Sequence, residues 1–207
     1  MRQLHGLYII TDETLTPYNS IEQSIKPALE NGASIVQLRD KTHTTEELLP
    51  VALKIRSLCS RYNSLFIVND NAELALKVDA DGVHVGKDDV HISSIRKEMP
   101  GKIIGVSCYG DVLRARQMEK EGADYAAFGS FFVSTTKPLA SIVEKTVLKE
   151  AKEILGIPVC AIGGITVENA SELVAMGVDM IAVISGIFGK GSVAENAALF
   201  SALFDRF

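Results

Sequence analysis

The sequence predicts an α/β protein folded as a (β/α)8 TIM barrel, with residues 1–207 forming one domain. Short apolar runs alternate about eight times with segments of helical spacing, and no Pro- or Ser-rich linker interrupts them. A short motif also recurs before every second run, which indicates a barrel assembled from repeated pairs of strand–helix units. With 207 residues, the chain lies near the short end of the size range of this fold.

The predicted strands are short runs that are rich in Val, Ile or aromatic residues and are bounded by polar, Gly or Pro positions. Such runs are typical of strands buried in a parallel sheet. They lie at residues 7–10, 34–38, 65–68, 82–85, 103–106, 125–128, 159–162 and 180–184.

The predicted helices occupy segments whose apolar residues recur at helical spacing. Residues 46–59 and 193–207 show this spacing, and residues 112–121 and 167–176 show it less fully. Three Ser/Thr and Glu/Gln pairs have the spacing of capping boxes, namely Ser20 with Gln23, Thr44 with Glu47, and Ser141 with Glu144. Pro27 and Pro50 fall inside predicted helices, so we expect those helices to begin later or to kink.

The recurring motif favours a closed barrel over an open doubly wound sheet. Residues 31–34, 80–82, 121–124 and 176–179 resemble one another, and each segment leads into an even-numbered strand. No strand is followed by the GxGxxG pattern of a dinucleotide-binding fold.

Composition excludes several classes of protein. The net charge is −5, with 47% hydrophobic and 23% charged residues, which excludes a disordered chain and disfavours nucleic-acid binding through a basic surface. The three cysteines form no CxxC pair, so we expect reduced thiols rather than a disulfide framework or zinc ribbon. No run is long enough for a secretory leader or a membrane span, which predicts a cytoplasmic protein without a membrane partner.

Polar residues cluster after the predicted strands, where the active site of such a barrel forms. They are Gln37, Arg39, Asp40 and Lys41 after the second strand, Asn69 and Asp70 after the third, His84, Lys87, Asp88 and Asp89 at and after the fourth, Ser107 after the fifth, Ser134, Thr135, Thr136 and Lys137 after the sixth, Gly163 and Gly164 after the seventh, and Ser185 and Gly186 after the eighth.

These residue types predict two anion sites. Glycine-containing turns after the last two strands are the usual phosphate site of a barrel, although such glycines also serve simply to allow tight turns. Asp70 and Asp89 are hard oxygen ligands that suit Mg²⁺ bound to a pyrophosphate, and Arg39, Lys41 and Lys137 would surround it. A plain salt-bridge network is the alternative. His84 and Cys108 are expected to be structural.

Seven motifs, in order along the chain, resemble those of the thiamine-phosphate synthase family. They are QLRDK at 37–41, FIVND at 66–70, DGVHVGKDD at 81–89, GVS at 105–107, FGSFFVSTTK at 128–137, AIGGI at 161–165 and VIS at 183–185. The resemblance runs from residue 6 to about residue 186. The chain departs from the family pattern at Lys87, at Ser134–Thr136 and at Cys108–Tyr109, where many members carry a His at the second position.

This resemblance implies a (β/α)8 barrel that joins 4-amino-2-methyl-5-hydroxymethylpyrimidine diphosphate to 4-methyl-5-hydroxyethylthiazole phosphate, giving thiamine phosphate and pyrophosphate. It implies that the pyrimidine diphosphate is held by Gln37, Arg39, Lys41, Asn69, Ser107 and Lys137. It implies Mg²⁺ as cofactor, held by Asp70 and Asp89. It implies that the thiazole phosphate is held by Ser134, Thr136, Gly164, Ile184 and Ser185, with Thr135 in the same loop. Arg39, Lys41, Lys137 and Ser107 are the expected catalytic residues, and a homo-oligomer is left open.

Three other functions remain as alternatives. A thiazole tautomerase on a related barrel relies on a His after the fifth strand, where this chain has Cys108, Tyr109 and Gly110. A sugar-phosphate isomerase would not need Asp70, Asp89 and Lys137 together. A non-catalytic thiazole-phosphate-binding regulator would not need the pyrophosphate half of the site.

Overall fold

A computed structural model describes residues 3–86, 92–134 and 141–205. Within them, eight parallel strands pair in sequence order, and the eighth closes on the first. The strands are β1 (Gly6–Ile10), β2 (Ala33–Leu38), β3 (Leu65–Asn69), β4 (Gly82–Val85), β5 (Ile103–Tyr109), β6 (Tyr125–Phe128), β7 (Val159–Ile162) and β8 (Met180–Val183). The predicted (β/α)8 barrel is therefore confirmed.

Helices follow the strands and cover the outside of the barrel. They are α1 (Ile21–Glu30), α2 (Thr45–Arg61), α3 (Ala72–Lys77), α4 (Ile92–Glu98), α5 (Val112–Lys120), α6 (Thr146–Ile154), α7 (Val167–Ala175), the four-residue α8 (Ser185–Phe188) and α9 (Val193–Phe204). No helix of the described residues is both long and apolar enough to cross a bilayer.

Alternation along the strands produces two apolar layers. In β1, Tyr8 and Ile10 belong to the cluster inside the barrel, whereas Leu7 and Ile9 belong to the larger cluster between strands and helices. The inner cluster also contains small residues such as Ala127, which leave space at the carboxyl end of the barrel. Side chains of successive strand residues point to opposite faces, so one strand supplies both layers.

The recurring motif places a carboxylate at the amino end of three even strands. We call Asp81, Asp124 and Asp179 the floor carboxylates. Their Oδ2 atoms accept the backbone N–H of Phe66 (2.8 Å), Ile104 (2.7 Å) and Val159 (2.7 Å), respectively. They also pair with Arg56 of α2 (3.3 Å), Arg96 of α4 (2.5 Å) and Lys152 of α6 (2.8 Å). Each floor carboxylate therefore ties an even strand to the preceding odd strand and to an even helix.

The first repeat has a serine instead of a floor carboxylate at the corresponding position. Ser34 stands where the other repeats have Asp, and its single hydroxyl hydrogen is shared between the carbonyls of His5 (2.5 Å) and Leu7 (3.1 Å). The pairing of β1 with β2 is irregular between Leu7 and Tyr8. A donor is therefore needed here, because backbone acceptors face this position.

One of the three predicted helix caps is confirmed. Thr44 and Glu47 form a complete capping box at the start of α2. The prediction for Ser20 is wrong, because a 3-10 turn at Tyr18–Ser20 precedes α1 and the Ser20 side chain caps nothing. The prediction for Ser141 is also wrong, because α6 begins only at Thr146. The segment before this helix is hydrogen-bonded to the loop after β6, where Val143 N–H donates to Ser130 O (2.8 Å).

The two internal prolines do not delay their helices. Pro27 lies inside α1 and Pro50 inside α2, so the expected later start is wrong. The apolar side of α2 is buried along its length, and this burial outweighs the one backbone hydrogen bond that a proline removes.

Candidate active site

A cavity of about 160 Å³ opens at the carboxyl end of the barrel. Predicted site residues from six different strand ends line its wall, namely Gln37, Arg39, Asn69, Ser107, Ser134, Gly164, Ile184 and Ser185. The remaining surface is mainly apolar and includes Ile10, Ala127 and Ile162. The cavity can therefore hold a small, largely apolar ligand that carries a few polar groups.

One side of the mouth carries charged groups of both signs. Asn69 Nδ2 donates to Asp70 Oδ2 (2.6 Å), and Lys41 Nζ lies 3.6 Å from the same oxygen. Asp70 has φ +55°, a conformation that Asp adopts more readily than most residues, and its N–H donates to the carbonyl of His84 (2.8 Å). The structure therefore brings Lys41, Asn69 and Asp70 together, as their places after neighbouring strands predict.

A buried carboxylate fixes the loop that carries Arg39 and Lys41. The Asp40 side chain is 1% exposed and accepts hydrogen bonds from the Tyr18 hydroxyl (2.5 Å), the His43 ring (2.9 Å) and the backbone N–H of Thr42 and His43. Burial alone would raise the pKa of Asp40, but these hydrogen bonds hold it well below its usual value. The hydrogen bond to Asp40 raises the pKa of His43. We call Tyr18, Asp40 and His43 the loop clamp.

The opposite wall depends on backbone conformations that suit glycine. Gly163 has φ +104° and Gly164 has φ +64°, and a Cβ on Gly164 would lie 2.4 Å from the carbonyl oxygen of Val133. The two glycines let the segment after β6 pack closely onto β7, with Phe132 N–H donating to Gly163 O (3.0 Å). Ser185 begins the short helix α8 beside them.

A chain of five polar side chains crosses the interior of the barrel, and four of them line the cavity. Gln37 Nε2 donates to the Tyr8 hydroxyl (2.6 Å), which lies 2.9 Å from the Tyr125 hydroxyl. His84 Nδ1 lies 2.9 Å from the Tyr125 hydroxyl, and His84 Nε2 lies 2.9 Å from Ser107 Oγ. We call these five side chains the interior polar chain. His84, which was expected to be a structural group, is hydrogen-bonded at both ring nitrogens and also lines the cavity.

Sequence reasoning missed the two tyrosines of the interior polar chain. Gly105 was a usable signal for one of them, because a glycine inside a strand often marks a close approach. A Cβ on Gly105 would lie 2.0 Å from the Tyr125 ring. Tyr109 was also missed as a wall residue: it lines the cavity with φ +57° and is 48% exposed.

Four predicted site residues, Asp89, Thr135, Thr136 and Lys137, lie outside the described residues, as do Lys87 and Asp88. Among the described residues, no group of three or more His, Cys, Asp or Glu side chains is arranged to hold a metal ion.

Burial disfavours the thiolate form of two of the three cysteines. Cys59, Cys108 and Cys160 are all buried, and none forms a disulfide among the described residues. Burial raises the pKa of Cys108 to about 12, and it raises the pKa of Cys160, which lines the cavity. The expectation that Cys108 packs as a small apolar residue is confirmed by its place in the outer core.

Comparison with known proteins extends over nearly the whole chain. A family model described as thiamine monophosphate synthase matches residues 7–187. A thiamine-phosphate synthase of Wolinella succinogenes is 46% identical over 199 residues, covering 94% of this chain and 92% of that protein. A thiamine-phosphate synthase of Alcanivorax borkumensis is 44% identical over 191 residues, covering 92% of this chain and 88% of that protein.

Solved structures agree with the fold. A thiamine phosphate pyrophosphorylase from Pyrococcus furiosus has a TM-score of 0.89 and 38% identity, covering 99% of this chain and 98% of that chain. A 3-hexulose-6-phosphate synthase from Salmonella typhimurium has a TM-score of 0.73 at 18% identity, covering 97% of this chain and 99% of that chain. The second likeness shows only the shared barrel.

Proposed function

This chain belongs to the thiamine monophosphate synthase family, and we propose that it joins 4-amino-2-methyl-5-hydroxymethylpyrimidine diphosphate to 4-methyl-5-hydroxyethylthiazole phosphate. The products are thiamine phosphate and pyrophosphate, so the enzyme is a transferase. One observation carries the assignment: eight residues that the family resemblance implies for the two substrates line a single cavity.

The diphosphate is bound on the side of the mouth formed by β2, β3 and β5. Among the described residues, no ion pair occupies the Arg39 side chain, which lines the cavity and is available for an anion. The Lys41 side chain is 59% exposed, and its Nζ lies 3.6 Å from Asp70 Oδ2, so it can turn toward a phosphate. Lys137 adds a third cation from the loop after β6.

Magnesium fits the donor set at this side of the mouth. Asp70 offers a hard carboxylate oxygen that is hydrogen-bonded to Asn69 and paired with Lys41, and its side chain is 26% exposed. We propose that Asp70 and Asp89 hold the ion together with diphosphate oxygens. When bound, the ion would supply positive charge that favours the diphosphate as a leaving group.

The reaction breaks one C–O bond and forms one C–N bond. The bond from the pyrimidine methylene carbon to the diphosphate oxygen breaks, and the electron pair leaves with the diphosphate. The electron-rich aminopyrimidine delocalises the methylene cation, so departure precedes attack. The lone pair of the thiazole nitrogen then forms the new bond, which leaves the positive charge on the thiazolium. Arg39, Lys41 and Lys137 stabilise the charge on the departing diphosphate.

The second substrate is positioned by its phosphate on the wall formed by β6, β7 and β8. Ser134, Ile184 and Ser185 lie on this wall with Gly164, whose bare backbone gives close access. Loops after the last two strands and the start of a short extra helix are where barrels of this kind bind phosphate. No protein nucleophile is needed, in agreement with the buried cysteines.

A reconstituted assay tests the proposal. The purified protein is mixed with the pyrimidine diphosphate, the thiazole phosphate and Mg²⁺, and thiamine phosphate is measured by chromatography. We expect product only when all three are present, and its loss on chelation with EDTA. Absence of product with or without metal would reject the synthase. Isomerisation of the thiazole phosphate alone would point to the tautomerase instead.

A further inference from the structure

The interior polar chain crosses the core of the barrel and ends at the Ser107 hydroxyl in the candidate active site. It begins at Gln37 in β2, passes through Tyr8 in β1 and Tyr125 in β6, and reaches His84 in β4 and Ser107 in β5. Both tyrosines are fully buried, Gln37 is 3% exposed and His84 is 8% exposed. Tyr8, Gln37, His84 and Ser107 all line the cavity, and Ser107 is the half-buried member at the end of the chain whose hydroxyl can face a ligand.

Counting hydrogens gives this chain a single direction. Gln37 Nε2 can only donate, so the Tyr8 oxygen accepts from it, and the one hydrogen of Tyr8 goes to Tyr125. The hydrogen of Tyr125 then goes to His84 Nδ1. Because burial raises the pKa of both tyrosines, they keep these hydrogens.

The direction also determines the state of the imidazole. With Nδ1 accepting, the neutral His84 ring carries its hydrogen on Nε2 and donates it to Ser107 Oγ. A hydrogen on Nδ1 would be donated to the Tyr125 oxygen. Either the hydrogen of Tyr125 or, if the bond between the tyrosines reversed, the hydrogen of Tyr8 would then have no acceptor among the described partners.

We propose that the interior polar chain holds the Ser107 hydroxyl as a hydrogen-bond donor to the departing diphosphate. Tyr8, Tyr125 and His84 are then positioning residues that act through Ser107. This inference rests on the proposed function, because the acceptor is the diphosphate oxygen that gains charge as the C–O bond breaks. The opposite direction would make Ser107 donate to His84 and turn a lone pair toward the anion.

Nitrogen NMR of protein labelled with ¹⁵N-histidine reads the direction of the chain. We expect the His84 ring to be neutral, with Nε2 protonated and Nδ1 unprotonated. In Tyr125→Phe, which removes the donor to Nδ1, the other tautomer should become populated. A wild-type ring that carries its hydrogen on Nδ1, or on both nitrogens, would overturn the proposal.

Kinetics test whether the effect passes through Ser107. We expect Ser107→Ala to lower kcat about 100-fold. Tyr125→Phe should lower kcat about tenfold with little change in KM, as for a group that orients another through a hydrogen bond. In the Ser107→Ala background, Tyr125→Phe should cause no further loss. Two losses that multiply would show that Tyr125 does not act through Ser107.

A matched control separates the proposal from simple destabilisation. Tyr62→Phe makes the same chemical change at the surface, where the Tyr62 hydroxyl donates to Glu30 (3.0 Å). Its kcat and its His84 spectrum should match the wild type. If the wild type forms no thiamine phosphate, the proposed function and the positioning role both fall. An active wild type with the reversed tautomer overturns only the positioning role.

Discussion

The two ends of the barrel use charged residues in opposite ways. At the amino end, each floor carboxylate is satisfied by a backbone N–H and by a cation from a neighbouring helix. At the carboxyl end, Arg39 and Ser107 face a cavity, and Lys41 is exposed beside Asp70. The floor carboxylates are fully hydrogen-bonded without a ligand, whereas Arg39 at the described part of the mouth forms no ion pair with another described residue.

This difference separates stability from activity along the barrel axis. Groups that are satisfied within the fold add to its stability, and groups held toward a cavity are available to a substrate. The loop clamp is an exception, because it is a fully satisfied cluster located at the mouth. Substitutions at the two ends and in the loop clamp therefore have different expected effects.

The largest effect is expected from the charged groups of the mouth. Lys137→Ala and Asp70→Asn should each lower kcat about 1000-fold or more, because charge on the departing diphosphate loses its stabilisation. Asn keeps the side-chain size and tolerates the left-handed backbone at position 70. Steady-state rates and thermal unfolding are the measurements, and melting temperatures should stay near the wild-type value.

The matched control for Asp70→Asn is Asp79→Asn. Asp79 is 77% exposed and pairs with Arg56 and Lys102 at the opposite end. It should retain full activity. A near-normal rate in Asp70→Asn would remove this carboxylate from the mechanism.

Substitution of a floor carboxylate should lower stability and leave kcat unchanged. Asp81→Ala removes the acceptor of Phe66 N–H and the partner of Arg56. We expect the free energy of unfolding to fall by about 2–3 kcal/mol, with kcat unchanged below the melting temperature. Asp81→Asn keeps an acceptor for the N–H, so its free energy of unfolding should lie between those of the wild type and Asp81→Ala. Urea unfolding measures the loss, and a stable variant with reduced kcat would contradict the division between the two ends.

A substitution in the loop clamp should lower both the stability of the protein and its affinity for the pyrimidine diphosphate. Asp40→Asn should cost about 2 kcal/mol at pH 7 through weaker hydrogen bonds to the side chain and raise the KM for the pyrimidine diphosphate. The folded pKa of Asp40 is lowered, so its contribution to stability is present above the unfolded pKa of about 3.9 and declines as the pH falls through the folded value. Urea midpoints of wild type and variant should therefore converge at low pH. A constant difference would contradict this account.

The smallest effect is expected at the floor position without a carboxylate. Ser34→Ala removes the donor to the carbonyls of His5 and Leu7 and should lower stability by about 1 kcal/mol. Ser34→Asp should be worse, because it places a carboxylate against those acceptors. Urea unfolding distinguishes the two variants. A stabilised Ser34→Asp would show that the first repeat follows the same rule as the others.

The barrel could be predicted from local patterns because every strand is a short apolar run between polar boundaries. Strand ends then follow directly, which is why Gln37, Asn69 and Ser107 were placed at the cavity. The predicted caps at Ser20 and Ser141 were wrong because neighbouring structure determines where these helices begin. A 3-10 turn precedes α1, and α6 begins only at Thr146. The motif before the even strands was visible in the sequence, but its bonds to the preceding odd strand were not.

The interior polar chain was beyond a reading of the sequence. Tyr8 and Tyr125 are 117 residues apart, and their hydroxyl groups meet only because the closed barrel turns both side chains inward at one level. His84, considered alone, suggests a structural group. Its role depends on the hydrogen bonds on both ring nitrogens, which only the assembled barrel supplies.

The floor carboxylates have a consequence for the order of the chain. Each one accepts the N–H of the other strand of a single strand pair, so a cut between pairs leaves these three strand-to-strand hydrogen bonds inside one continuous piece. Of the ion pairs that the floor carboxylates form with the helices, only Arg96–Asp124 spans a cut between α4 and β5. Gly101, which is exposed, lies at such a boundary between α4 and β5. Residues near the two ends of the described chain lie close together, since the rings of His5 and Phe204 are 5.2 Å apart. A circular permutant that begins at residue 102, with residue 207 joined to residue 1, should therefore fold into the same barrel.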